Sequence, residues 1–129
     1  MVSAAQSSGR RGSVLIADNE PSVLLSTKRI LEEDGWDVHT ADSSGGILEA
    51  VRDNGFDLIL VDHKMPGNEN LQIVRVLGEE YPGCPVIVVT GYPSLPSGLQ
   101  SFRMQVFDYL AKPFGTQALA TQVRKVLDS

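Results

Sequence analysis

The sequence predicts an α/β fold in which helices wind both faces of a five-stranded parallel sheet. Two observations carry the prediction. Short apolar runs recur, Val14-Leu15-Ile16-Ala17, Leu58-Ile59-Leu60-Val61 and Val86-Ile87-Val88-Val89, and each stops at a polar residue. Runs that are apolar at every position mark strands buried on both faces. Between them, apolar residues recur at the three- and four-residue spacing of a helix. Strands that alternate with helices are joined by crossovers, so they run parallel.

The elements follow in order. Residues 1–12 are rich in Ser, Ala, Gly and Arg and are expected to form a disordered leader before one domain at 13–129. The first strand is predicted at 13–18. Pro21 suits the first turn of a helix, and Val23, Thr27, Ile30 and Leu31 mark one face of it. Glu20 is placed in that first turn, where negative charge is favoured, rather than as a ligand. The helix ends at Asp34-Gly35, since Gly is a natural residue just past a helix C-terminus.

A second strand is predicted at 36–40. Asp42 or Ser43 can cap the next helix, whose apolar face carries Ile47, Leu48 and Val51 before Asn54-Gly55. The third strand is predicted at 57–61. Leu71, Val74 and Leu77 lie on a third helix that stops before Pro82-Gly83. The fourth strand is predicted at 85–90. The stretch Tyr92-Pro93-Ser94-Leu95-Pro96-Ser97-Gly98 is poor helix material, so a fourth helix is short, at 99–105. A fifth strand is predicted at 107–111, and the last helix carries Leu119, Val123, Val126 and Leu127. Strand order 2-1-3-4-5 places strands 1 and 3 side by side where the winding reverses.

The chain has 129 residues, 42% of them hydrophobic and 21% charged, which suits one domain. A net charge of −5 and a pI near 4.9 argue against direct nucleic-acid binding, which wants basic surface. The one cysteine, Cys84, is expected to open a buried strand as a small apolar residue. No apolar stretch approaches the ~20 residues of a membrane span, and no signal-peptide core is present. The expected location is cytoplasmic, with no membrane partner.

Open α/β sheets bind ligands at the carboxyl ends of their strands. Asp18, Asp62 and Thr90 end strands there, and Lys112 directly follows the fifth. Two acids, a hydroxyl and a lysine on one rim suit a cation together with a phosphoryl group. Asp62 is the most informative of these, because it ends an apolar run and is followed at once by His63-Lys64-Met65-Pro66-Gly67.

These motifs, with Asp18-Asn19-Glu20-Pro21, Thr90-Gly91 and Asp108-Tyr109-Leu110-Ala111-Lys112-Pro113-Phe114, resemble a two-component response-regulator receiver domain, of flavodoxin-like fold. The resemblance implies that Asp62 is a phosphoacceptor, phosphorylated with Mg²⁺ by a phosphohistidine donor in a phosphorelay. It implies that Lys112 and Thr90 contact the phosphoryl group and that Tyr109 switches with Thr90. It assigns Mg²⁺ to Asp18, position 19, Asp62 and the backbone carbonyl of Lys64. Lys64 and Tyr92 match positions bordering the path of the hydrolytic water, where their bulk would prolong the phosphoryl state. His63 is read as an exposed loop residue, and His39 has no partner that the sequence names.

Asn19 departs from the family, which has an acid there. An amide oxygen can still ligate, but Mg²⁺ prefers carboxylate, so weaker metal binding is expected. The implied partners are a histidine kinase or histidine phosphotransfer protein. An output partner or a homodimer would use the face formed by helix 99–105, strand 107–111 and the last helix. The chain is thus read as a signalling switch that catalyses only its own phosphorylation and dephosphorylation. The alternative is a degenerate receiver acting as a phosphorylation-independent interaction module. A flavin binder or small phosphatase is disfavoured, because Asp18-Asn19-Glu20-Pro21 is the opposite of a Ser/Thr/Gly phosphate loop.

Overall fold

The computed structural model describes residues 12–62, 72–90, 108–111 and 116–127; of residues 90, 108–111 and 116 it describes the backbone alone. Five strands form one parallel sheet: β1 (Ser13–Ala17), β2 (Asp37–Ala41), β3 (Leu58–Asp62), β4 (Val86–Thr90) and β5 (Asp108–Ala111). Their order is β2-β1-β3-β4-β5, as expected. Four helices are described: α1 (Pro21–Glu33), α2 (Ser44–Asp53), α3 (Gln72–Glu80) and α4 (Thr116–Leu127). The expected helix at 99–105, the segment 92–98, Leu71 and the leader up to residue 11 lie outside the described residues.

Side chains alternate across a strand, and here both sets are apolar. Leu15, Ala17, Ile59, Val61, Val86 and Val88 pack on one face with Ile47 and Val51 of α2 and Ile73, Val74 and Leu77 of α3. Val14, Ile16, Leu58, Leu60, Ile87 and Val89 pack on the other with Leu31 of α1 and Leu119 and Val123 of α4. Burying a Leu, Ile or Val stabilises by about 1.5–3 kcal/mol, so two cores clamp the sheet. Ile73, which the helical reading left out, is 2% exposed and belongs to the first core.

The described strands match the expected ones to within a residue, and the shifts have causes. Trp36 was expected to open β2. Its N–H instead donates to the Leu31 carbonyl at 3.0 Å, while Gly35 N–H donates to Glu32. These two bonds close α1 with a Schellman turn, and Gly35 takes the positive φ, 98°, that such a turn needs. Trp36 therefore belongs to the helix end. Gly12, assigned to the leader, is buried, and its carbonyl accepts the Asp37 N–H at 2.7 Å.

Two further expectations are corrected. Cys84 does not open a strand; it lies in the turn before β4, half-buried, with its thiol donating to the Phe56 carbonyl at 3.4 Å. Glu20 is not inside the first turn of α1. It is the N-cap residue, in extended conformation, and its side chain makes no capping bond. Ser43 is the cap of α2, accepting the Gly46 N–H at 3.1 Å.

Candidate functional site

Parallel pairing sets the rim where the strands end. Ala17 pairs with Val61 across β1 and β3, and Asp62 pairs with Val89 across β3 and β4. Asp18 and Asp62 thus close adjacent strands, whose backbones lie about 4.8 Å apart. Both are buried, at 2% and 5% exposure. Thr90 ends β4, and its backbone pairs with Ala111, the last residue of β5. The register therefore brings the ends of strands carrying Asp18, Asp62 and Thr90 to one rim, and the chain enters Lys112 from that same rim.

Asp18 is held from two sides. Its N–H donates to the Ala41 carbonyl at 3.1 Å, extending the ladder with β2 one residue past β1. Its Oδ1 accepts the Glu20 N–H at 3.0 Å, a local bond that Asp makes readily and that shapes the loop into α1. Asn19, between them, is exposed. Beneath Asp18 the fold is filled. The void bounded by Thr27, Leu60, Val89 and Leu119 measures about 10 Å³, at the lower limit for one water molecule. The described residues leave no room for a larger ligand beneath Asp18.

Two carboxylates on neighbouring strand ends repel one another, and a cation offsets that repulsion. The donors are all oxygen, as Mg²⁺ requires, and one or two carboxylates suffice when water completes its shell. Asp18 and Asp62 fit that ion. Among the described residues no three acid, His or Cys side chains are gathered into a complete cage. Lys64, Tyr92, Lys112 and His63 lie outside the described residues, as do the side chains of Thr90 and Tyr109.

The opposite edge of the sheet is built differently. A groove of about 460 Å³ lies there, lined by Val51, Phe56, Ile59, Tyr81 and Cys84 among others. The Cys84 thiol is pushed up to about 11, chiefly by burial and then by the charge of Asp57. It is therefore a poor nucleophile at neutral pH. His39, without an expected partner, meets the Phe56 ring edge-on with centroids 5.3 Å apart, and its Nε2 lies 3.5 Å from Asp37. The sequence hid this contact because Phe56 precedes β3, which β1 separates from β2 in the sheet.

The family model for the response regulator receiver domain matches residues 14–124. The chain is 28% identical over 118 residues to the DNA-binding transcriptional regulator NtrC of Escherichia coli, covering 92% of this chain and 25% of that protein. It is 30% identical over 115 residues to the C4-dicarboxylate transport transcriptional regulatory protein DctD of Pseudomonas aeruginosa, covering 89% and 25%. The chain thus spans about a quarter of the length of these curated relatives. The crystal structure of a response regulator receiver domain protein from Clostridium thermocellum superposes with a TM-score of 0.81 at 30% identity, covering 91% of this chain and 94% of that one. No helix among the described residues is long and apolar enough to cross a membrane.

Proposed function

The chain belongs to the response-regulator receiver family, and from that premise we propose that it is a phosphoacceptor switch modified on Asp62. The observation that carries the proposal is the pair of buried carboxylates, Asp18 and Asp62, closing adjacent strands on the rim that Thr90 shares. A carboxylate is a nucleophile that forms an acyl phosphate. An Asp62 oxygen attacks the phosphorus of a phosphohistidine, a P–O bond forms, the P–N bond breaks, and the imidazole leaves with the electron pair. Lys112 and the Thr90 hydroxyl contact the transferred phosphoryl oxygens, and Tyr109 follows Thr90 between two positions.

Mg²⁺, when bound, offsets charge on the phosphoryl oxygens. Asp18, Asp62, the Lys64 carbonyl and the Asn19 amide are its proposed ligands. The phosphodonor is a histidine kinase or histidine phosphotransfer protein. The output surface comprises residues 99–105, β5 and α4, and it serves a partner or a second copy of the chain. Lys64 and Tyr92 screen the hydrolytic water, so trimming both to Ala should speed loss of the phosphoryl group severalfold; an unchanged rate overturns that role.

Asn19 favours a second reading, a receiver that signals by protein contact without phosphorylation. One experiment separates the two. The protein is incubated with acetyl phosphate, with and without Mg²⁺, beside Asp62→Ala, and intact mass is recorded. One added phosphoryl group that requires both Mg²⁺ and Asp62 supports the switch. No added mass on folded protein, with a competent receiver modified in parallel, supports the contact module.

A further inference from the structure

We propose that Glu20 supplies the bound divalent cation with the carboxylate that position 19 lacks. The inference rests on the receiver reading and concerns the metal ligands of that site. Asn19 brings no charge to the rim, which leaves Asp18 and Asp62 as its buried carboxylates among the described residues. The next acid in the chain is Glu20. Its main chain is already tied to the site, because its N–H sits 3.0 Å from Asp18 Oδ1. The Glu20 Cα is one bond of about 1.46 Å beyond that nitrogen, so its side chain starts beside the first proposed ligand.

The Glu20 side chain has no competing task. It occupies the N-cap position of α1, where Ser, Thr, Asp and Asn are the residues whose short side chains bond back to the helix. Glu20 makes no such bond. The amides of Val23 and Leu24 donate to its backbone carbonyl at 3.1 Å each. No described hydrogen bond or ion pair uses its carboxylate, and the residue is exposed.

Asp18, Glu20 and Asp62 are not gathered together in this conformation. The two buried carboxylates are fixed, whereas an exposed side chain changes rotamer in picoseconds to nanoseconds. The cation therefore draws Glu20 inward, where it binds directly or through a coordinated water.

The test is Mg²⁺ binding to the unphosphorylated protein, measured by calorimetry and by the shift in melting temperature with Mg²⁺. Four proteins are compared: native, Glu20→Gln, Asn19→Asp and the double variant. A carboxylate a few ångströms from a divalent ion is worth about tenfold in affinity even when water screens it. Glu20→Gln should weaken Mg²⁺ binding by that factor in the native protein. In the Asn19→Asp background, where the charge is already supplied, it should change affinity much less.

Equal affinities of native protein and Glu20→Gln overturn the proposal, as does equal weakening in both backgrounds, which would be a general field effect of one lost charge. Those outcomes leave the receiver reading intact if Asn19→Asp binds Mg²⁺ more tightly. Absence of Mg²⁺ binding in all four overturns Glu20 as a ligand and the metal-dependent switch together.

Discussion

The two edges of the sheet use carboxylates in opposite ways. Where the strands begin, Asp34 and Asp57 are set against donors from other elements. Asp34 accepts the Trp36 indole N–H at 3.2 Å and the Arg124 Nε–H at 2.9 Å, with a second guanidinium nitrogen on its other oxygen. Asp57 accepts the Ser13 N–H at 2.8 Å. These bonds tie the end of α1 to α4 and the start of β1 to the start of β3. Where the strands end, Asp18 and Asp62 stand next to each other on adjacent strands. The first edge uses Asp34 and Asp57 to hold elements together; the second collects carboxylates where the proposed cation would bind.

The sharpest way to break that contrast is a crossed pair of substitutions. Asp62→Asn keeps the shape and removes the proposed nucleophile. It should abolish phosphoryl uptake from acetyl phosphate, read by intact mass, while circular dichroism and urea unfolding report a folded protein. Asp34→Ala should do the reverse. It removes the Asp34 acceptor from the indole N–H of Trp36, a residue only 3% exposed, and it removes one acceptor from Arg124. Losing the bond to a buried donor costs about 1–3 kcal/mol, which urea unfolding measures, and phosphoryl uptake should persist. If Asp34→Ala also abolished uptake in folded protein, the division of labour between the edges would fail.

Much of this contrast was legible in the sequence, and the reason is local. Strands buried on both faces leave an unbroken apolar run, so β1, β3 and β4 stand out, as does the polar residue that stops each one. Gly35 and Ser43 were legible because a helix end and a helix start demand particular chemistry at one position. The rim was legible because every parallel strand ends on the same side, which gathers residues far apart in the chain. The lower edge was not. Asp34 and Arg124 meet across ninety positions, and no local pattern announces a contact made by tertiary packing. Trp36 and Cys84 misled because an apolar residue beside a strand reads as part of it, whereas turn hydrogen bonds claim both. The role proposed for Glu20 was passed over in favour of its place at a helix start, where an acid is expected for the dipole alone.

A milder substitution asks whether everything at the rim serves chemistry. Ser43 stands on the rim side, just after β2, and its hydroxyl accepts the Gly46 N–H at 3.1 Å. Its role by geometry is to cap α2. Ser43→Ala should lower stability by about 1 kcal/mol, the usual worth of such a cap, and leave phosphoryl uptake unchanged. A large loss of uptake at unchanged stability would mean that the rim's functional surface extends onto α2 and would redraw the boundary between scaffold and site.

The smallest effect tests the lower edge by pH. The Cys84 thiol is raised from 9.0 to about 11, first by burial and then by Asp57. A raised thiol stays protonated in the folded protein when the unfolded chain has begun to lose its proton. The folded state therefore binds more protons between pH 9 and pH 11, and its stability contribution is complete below that window and lost as pH rises through it. Melting temperature should decline across those two units in the native protein and decline less in Cys84→Ala, a difference kept small because the thiol is only half-buried. The same shift should leave about a hundredfold less thiolate at pH 8 than an ordinary thiol of 9.0 would show, so alkylation by iodoacetamide should be correspondingly slow until urea unfolds the chain. Rapid alkylation of the folded protein would mean that the turn before β4 opens freely, and the lower edge would then be less rigid than its hydrogen bonds imply.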